Sequence, residues 1–263
     1  MILIAISGIA RYKGARENPG LRLLFLISLP LIGTFIFISL FRNTLPHWSG
    51  PAYLSLIPLP ALWIRKRQKE EPGLFPLPVL ISLGIMVLIV GTCIAQITTG
   101  FIKIAAAGSP IMNKGKEDIS LQIVGWDQLG AKFPSIAAAH EKAKEIPKDA
   151  PIVTYRWFPA ANLDYYVARH CGKKVLVSGD LEAIHKYAWI NRFNGGFRLN
   201  SDAWYITSSL DFEDPGRLKP LYFGQAILSD TVSIYRNGKV AYYFFIYRLK
   251  NLQTRPPDPF QIR

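Results

Sequence analysis

Carboxylates are scarce where this chain is most apolar. Up to Ser109 only Glu17, Glu70 and Glu71 are acidic against ten Lys and Arg, and the whole 263 residues hold 18 Asp and Glu against 31 Lys and Arg. A general acid or base drawn from the first half therefore has few sources. Cysteine is nearly missing as well: Cys93 sits in an apolar run and Cys171 in the polar half, so a disulfide would have to join two unlike regions, and both are read as free thiols. The four histidines, His47, His140, His170 and His185, make no pair at ligand spacing with each other or with a cysteine, which excludes a zinc motif. Ser178-Gly179-Asp180 is not a G-x-G-x-x-G turn, so no dinucleotide is inferred. No metal or other cofactor is expected. The net charge of +13 raises the question of nucleic acid, but no nucleic-acid motif accompanies it, and the basic residues of the first half stand in short clusters beside apolar runs.

Those apolar runs are what the sequence has in abundance. Leu23 to Phe41 carries no charge, and at 1.5 Å per residue it is roughly 28 Å long, about the thickness of a hydrocarbon core. Leu74 to Ile102 is a longer uncharged run that can cross with tilt. Between them 50–64 is apolar but short and broken by Pro51, Pro58 and Pro60, which predicts a span packed inside a bundle. Residues 1–10 read as part of a further helix, with no basic leader and no cleavage site. The expectation is about three full spans, 23–41, 50–64 and 74–102, plus a partial one at 1–10. Four basic residues fall in 11–22 and four in 65–69, against Arg42 alone in 42–50, so the first and third loops are placed in the cytoplasm. The 42–50 loop and the remainder of the chain are then extracytoplasmic.

From Pro110 the long runs give way to short alternations, predicting a soluble α/β domain over 110–263. Ile152–Trp157, Lys174–Ser178 and Ala203–Ser209 read as strands. Trp126–Glu145 reads as a helix that Pro134 should kink or split, Pro159 opens a helix to about Arg169, and Asp180 caps another over Leu181–Ile190. Strand, helix, strand, helix, strand implies a small parallel sheet resembling a half Rossmann unit. Leu221–Leu228 and Thr231–Arg248 add strands, Asn237-Gly238 marks a hairpin turn, and the R-P-P-D-P-F end reads as a frayed tail.

The segment F-R-N-T-L-P-H-W-S-G-P-A-Y, 41–53, is the polar interruption between two apolar runs. It places Arg42, His47, Trp48 and Tyr53 at one membrane boundary. One reading is an aromatic belt with a snorkelling arginine; the other is a site for an anionic lipid headgroup. P-H-W-S-G-P-A-Y followed by a proline-broken apolar helix resembles the late membrane region of bacterial polyprenyl-phosphate-dependent glycosyltransferases, the relatives of aminoarabinose transferase and protein mannosyltransferase (glycosyltransferase family 39 type). G-W-D-Q-L-G at 125–130, W-F-P-A-A-N-L-D-Y-Y at 157–166 and I-H-K-Y-A-W-I-N at 184–191 resemble the extracytoplasmic domain of the same family.

The resemblance implies an integral protein of the bacterial cytoplasmic membrane, with its C-terminal domain outside. It would transfer a sugar from a polyprenyl-phosphate carrier to a lipid, glycan or protein acceptor. Arg42, His47, Trp48 and Tyr53 are the substrate-binding candidates, Arg42 gripping phosphate oxygens in pairs. The catalytic acid of that family lies in an early extracytoplasmic loop, which implies that it comes from a part preceding these residues and that this stretch alone is inactive. Asp127, Asp164 or His47 are the local substitutes. Two polar-aromatic clusters, Trp157 with Asn162, Asp164, Tyr165 and Tyr166, and His185 with Lys186, Tyr187, Trp189, Asn191 and Arg192, invite a sugar-binding reading. Helical spacing assigns at least half of their aromatics to the core instead. The rival from another class is a membrane-anchored binding or assembly module without chemistry of its own.

Overall fold

A computed structural model describes residues 18–42, 46–70, 73, 76–104, 110–217 and 222–255; the expectations for 1–10 and for the C-terminal tail lie outside them. The chain forms two compact units, Met1–Thr92 and Cys93–Arg263.

In the first unit, helix α1 (Pro19–Ser39) begins where the Asn18 side chain accepts from the Gly20 and Leu21 amides, with Pro19 at a position whose missing N–H costs nothing. A 3-10 turn over Pro46–Ser49 leads into α2 (Gly50–Leu56), and α3 (Pro58–Glu70) follows after a turn at Ile57. The third span expected over 50–64 is thus two short helices meeting at Pro58, whose ring and absent N–H stop α2 from running on. Helix α4 (Leu77–Thr99) is continuous. Among the described residues α1 and α4 are the two helices long and apolar enough to cross a membrane. Along α4 only Gln96 is buried, and Leu88 in mid-helix is 70% exposed, so no described residue covers most of this apolar helix.

The second unit is built on a five-stranded mixed sheet in the order β2-β1-β3-β5-β4. Its strands are β1 (Ile152–Thr154), β2 (Val175–Val177), β3 (Ala203–Ser208), β4 (Tyr222–Arg236) and β5 (Lys239–Thr254). The first three are parallel, as the alternating pattern predicted; β5 adds antiparallel to β3, and β4 to β5. The half-Rossmann expectation holds for three strands and stops there. The Asn237-Gly238 hairpin is present with φ of +49° and +71°, the conformation such a pair adopts at least cost.

Strand alternation sorts the core into two layers. Ile152, Val175, Val177, Trp204, Ile206, Phe244 and Ile246 pack with three helical segments: α5 (Trp126–Lys142), α6 (Trp157–Leu163) and its continuation, and α9 (Tyr187–Phe193). Val153, Leu176, Tyr205, Phe245 and Tyr247 face the other way, under Phe197, Phe212 and Phe223. Trp204 and Tyr205 are wholly buried, each contributing roughly 2–3 kcal/mol by burial. The β1-to-β2 connection packs on the helical face, and the β2-to-β3 connection begins on that face with Ile184, Tyr187 and Ala188 before Phe197 reaches the other.

Helix α5 runs through Pro134 without the split that the proline was expected to allow. Leu129, Phe133 and Ala137 are all buried on one face, and that burial outweighs the one hydrogen bond the proline removes. The helix opened by Trp157, two residues before Pro159, passes through a π stretch at Asp164–Ala168 and ends as α7 (Arg169–Cys171). The single helix expected over 181–190 is instead α8 (Leu181–Ile184) and α9, parted by His185 at φ +50°.

Candidate functional site

The predicted headgroup residues belong to the first unit, where α1 and α2 pack together through Leu21, Leu24, Phe25, Ile32 and Leu56. Arg42 follows the helix end, its amide still bonded to Ile38 O at 2.9 Å and its side chain exposed. The Trp48 ring lies 6.4 Å from that of Phe35, seven residues back along α1, which is about 10 Å of helix rise. The Trp48 ring therefore lies beside α1 rather than beyond its end. Tyr53, on α2, is partly exposed. His47 belongs to the 3-10 turn, and its side chain lies outside the described residues. No described contact joins Arg42, Trp48 and Tyr53 to one another. The arrangement is a cation at the helix end with aromatics stepping down beside it.

The second unit contains a cleft that the sequence did not announce. Strands β1 and β3 are parallel neighbours whose connections leave in different directions, and in open α/β sheets ligands bind outside the carboxyl ends of such a pair. There a cleft of about 280 Å³ is lined by Tyr155, Arg156, Trp157, Thr207, Ser208 and Asp211, with Trp126 and Phe244 in its floor. Tyr155 Oη donates to Asp211 O at 2.5 Å, and Arg156 Nη1 meets Asp211 Oδ2 at 2.6 Å. The guanidinium lies 5.1 Å from the Tyr155 ring centre. Burial, followed by the hydrogen bond and charge of Asp211, pushes the Tyr155 hydroxyl well above its ordinary range, so it stays a neutral donor. Trp157, which opens α6, is 45% exposed. Two buried hydroxyls, Thr154 Oγ1 at the end of β1 and Ser178 Oγ just past β2, have no hydrogen-bond partner.

The two polar-aromatic clusters singled out in the sequence meet beside this cleft. The rings of Trp157 and His185 are 5.6 Å apart, and the negative charge of Asp164 acts on Tyr187, whose hydroxyl is raised first by burial and then by that charge. Burial likewise raises the Asp164 carboxyl. Tyr187 and Ala188 are core residues, as the spacing predicted, whereas Tyr165 and Trp189 are exposed. Asn191 serves the sheet: its amide pairs with both backbone groups of Val177.

G-W-D-Q-L-G is likewise explained by packing. Gly125 takes φ +85° at the start of α5, where a β-carbon would run into Ile234, and Gly130 lies against the Tyr166 carbonyl. Trp126 packs 4.9 Å from Phe244, and Gln128 pairs with Tyr235 on strand β4. Asp127 is exposed.

Among the described residues no group of three or more His, Cys, Asp and Glu is placed to hold a metal ion. The two cysteines are free thiols. No protein-family model, no curated protein and no solved structure matches the chain.

Proposed function

We propose that this chain supplies late membrane helices and the extracytoplasmic domain of an integral membrane glycosyltransferase. It would act at the outer face of a bacterial cytoplasmic membrane, moving a sugar from a polyprenyl-phosphate carrier to a lipid, glycan or protein acceptor. The observation that carries the reading is Arg42: an exposed arginine without an ion-pair partner among the described residues, at the end of α1, with Trp48 and Tyr53 stepping back along the helix. A lipid-linked phosphate presents two non-bridging oxygens that share its negative charge at the membrane boundary, and a long apolar chain below it. A guanidinium fork matches the first, and aromatics at descending depth match the second. The resemblance of 46–53 to the glycosyltransferase motif supports the same assignment. In this reading Arg42 holds and neutralises the departing phosphate, while the acceptor's base comes from outside these residues.

The test is donor use by the membrane enzyme that contains this chain. Replacing charged hydrogen bonds to phosphate is worth about 1.5–3 kcal/mol, so Arg42→Ala is expected to lower donor use about 10- to 100-fold, with Arg42→Lys intermediate. Equal activity of Arg42→Ala and wild type at matched membrane levels removes Arg42 from the site.

The cleft at β1 and β3 favours a second reading, a membrane-anchored saccharide-binding module without chemistry. An exposed tryptophan face beside a fixed Arg–Asp pair suits one sugar ring, stacking below and hydrogen bonding at the rim. Saccharide binding lost in Trp157→Ala, together with indifference of the Arg42 variants to donor, would establish this second reading over the first.

A further inference from the structure

Immediately after α4 the second unit displays a run of large apolar side chains that no part of the sheet covers. Phe101, Ile102, Ile104, Ile111 and Met112 are exposed, Ile119 is 75% exposed and Ile123 62%. Their neighbours in sequence show that this is a patterned surface. Leu121 is fully buried, Asp118 is buried, and a β-carbon at Gly115 would strike Leu121 and Leu210, so the 110–124 segment is fixed to the domain at every third residue, 115, 118 and 121, while its isoleucines are exposed. Exposed lysines, Lys103 and Lys116, lie among them.

The place of this patch relative to the end of α4 follows from three contacts in series. Gly100, whose amide bonds to Gln96 O at 2.9 Å, closes the helix at φ +63°. The Arg236 guanidinium lies directly against it, so that a β-carbon there would be 2.5 Å from Nη2. Arg236 in turn is held by Asp118 Oδ2 at 2.6 Å and Ser120 Oγ at 2.9 Å. Ile119 stands between those two residues and Ile123 ends the same 3-10 segment, Ile119–Ile123. The chain leaving the helix is pinned too: the Gln96 side chain accepts from Ile102 N at 2.9 Å and donates to Ile102 O at 3.1 Å. The isoleucines are therefore held within a few residues' reach of the last turn of α4, where an apolar helix of this length meets the membrane boundary.

We propose that Phe101–Ile104 and the isoleucines of 111–123 form a bilayer-contacting surface, seated at the headgroup–acyl boundary on the side where α4 emerges. This rests on the reading of α4 as a membrane span. Continuity with that helix selects lipid as the occupant. Lysines interleaved with isoleucines are also the composition of an interfacial segment, where basic side chains meet phosphate and apolar ones enter the acyl region. The surface would fix the domain against the membrane, leaving it no freedom to tumble on a tether.

Nitroxide labels test this on the full chain in phospholipid nanodiscs containing anionic lipid, with Cys93 and Cys171 replaced by serine. Single labels go at Ile119→Cys and Ile123→Cys, with Leu88→Cys in mid-α4 as the lipid reference. Phe193→Cys, 88% exposed at the β2 side of the sheet, is the water reference. An unchanged thermal transition shows that each labelled chain is folded. The expected result is preferential oxygen accessibility at 119 and 123, shifted toward the Leu88 value, and preferential nickel-chelate accessibility at 193. Nickel accessibility at 119 and 123 equal to that at 193, with Leu88 in lipid, overturns the surface alone. Nickel accessibility at Leu88 overturns the span and the surface with it. Dipolar broadening at 119 that disappears on dilution with unlabelled chain assigns the patch to a second copy and also overturns the proposal.

Discussion

The Asn191 carboxamide lies against the Val177 peptide as a neighbouring strand would, accepting from Val177 N at 2.9 Å and donating to Val177 O at 2.8 Å. Asn194, one turn on, donates to Val175 O at 2.9 Å. Strand β2 is an edge of the sheet, and an edge with open amides and carbonyls invites pairing with another chain. The opposite edge is treated alike, with Gln128 accepting from Tyr235 N at 2.9 Å and donating to Tyr235 O at 2.8 Å. Gln96 makes the same two-point contact with Ile102. Side-chain amides thus stand in for absent peptide groups at three places.

Asn191→Ala should therefore cost more than an ordinary surface change. It leaves the Val177 N–H and C=O of a short buried strand without partners, a loss of about 1–3 kcal/mol. Thermal unfolding should shift downward, with more aggregation on heating. Asn191→Asp restores the acceptor but not the donor and should fall between. A transition unchanged in Asn191→Ala would mean that α9 closes the edge by packing alone.

Gly130→Ala is expected to destabilise, although alanine is the better helix former. Its β-carbon would fall on the Tyr166 carbonyl oxygen, so α5 must move away from the π stretch, costing about 1–3 kcal/mol. Gly84→Ala in α4, where nothing lies within 4 Å, is the matched control and should be neutral or better. If both substitutions behave alike in denaturant unfolding, the close approach at Gly130 has no energetic weight.

What the sequence could disclose follows from the range of each interaction. Uncharged length is a local property, so the cores of α1 and α4 were legible, and so was the Asn237-Gly238 turn, which is written in two residues. The break at Pro58 was signalled by the prolines but read as one short span packed inside a bundle. Continuity of α5 through Pro134 depends on Phe133 and Ala137 finding a core, which no local pattern states. The meeting of Trp157 with His185, and the cleft, arise from strand order, a tertiary fact. Asn191 was grouped with aromatics as a possible sugar contact. Two asparagines at i and i+3 on a helix next to a short apolar strand were the available sign, since asparagine is a poor helix former that competes for backbone hydrogen bonds.

Acid should weaken the second unit partly through Asp118. Burial alone would raise its carboxyl, but the Ser120 hydrogen bond and the Arg236 hydrogen bond and charge outweigh burial and hold it below the ordinary carboxylate value. A group depressed in the folded state stabilises above its unfolded value, about 3.9, and that stability is lost as pH falls through the lower folded value. Asp118→Ala should cost about 3–5 kcal/mol at neutral pH, because it leaves Arg236 charged and nearly buried. The variant should also lose less additional stability than wild type on acidification below pH about 4. Parallel acid profiles for the two proteins would assign the acid sensitivity to other carboxylates.

The orientation of the chain is open to labelling, and the structure changes the choice of probe. Cys171 is the obvious native thiol, but it is half buried, its Sγ donates to Val167 O at 3.3 Å, and burial pushes the thiol above its ordinary value. Only thiolate reacts, so slow labelling there would say nothing about sidedness. Phe193→Cys and Gln68→Cys, both exposed and introduced singly in a chain lacking Cys93 and Cys171, are better placed. They flank α4 in sequence, and the two basic clusters at 11–22 and 65–69 lead us to expect the Gln68 side in the cytoplasm. An impermeant maleimide is expected to label position 193 in intact cells and position 68 only after the cells are opened. The reverse pattern would place the α/β domain inside and remove the outer-face reading of Arg42. Both positions reacting together, before or after opening, would mean that α4 does not cross at all, whatever its length and composition allow.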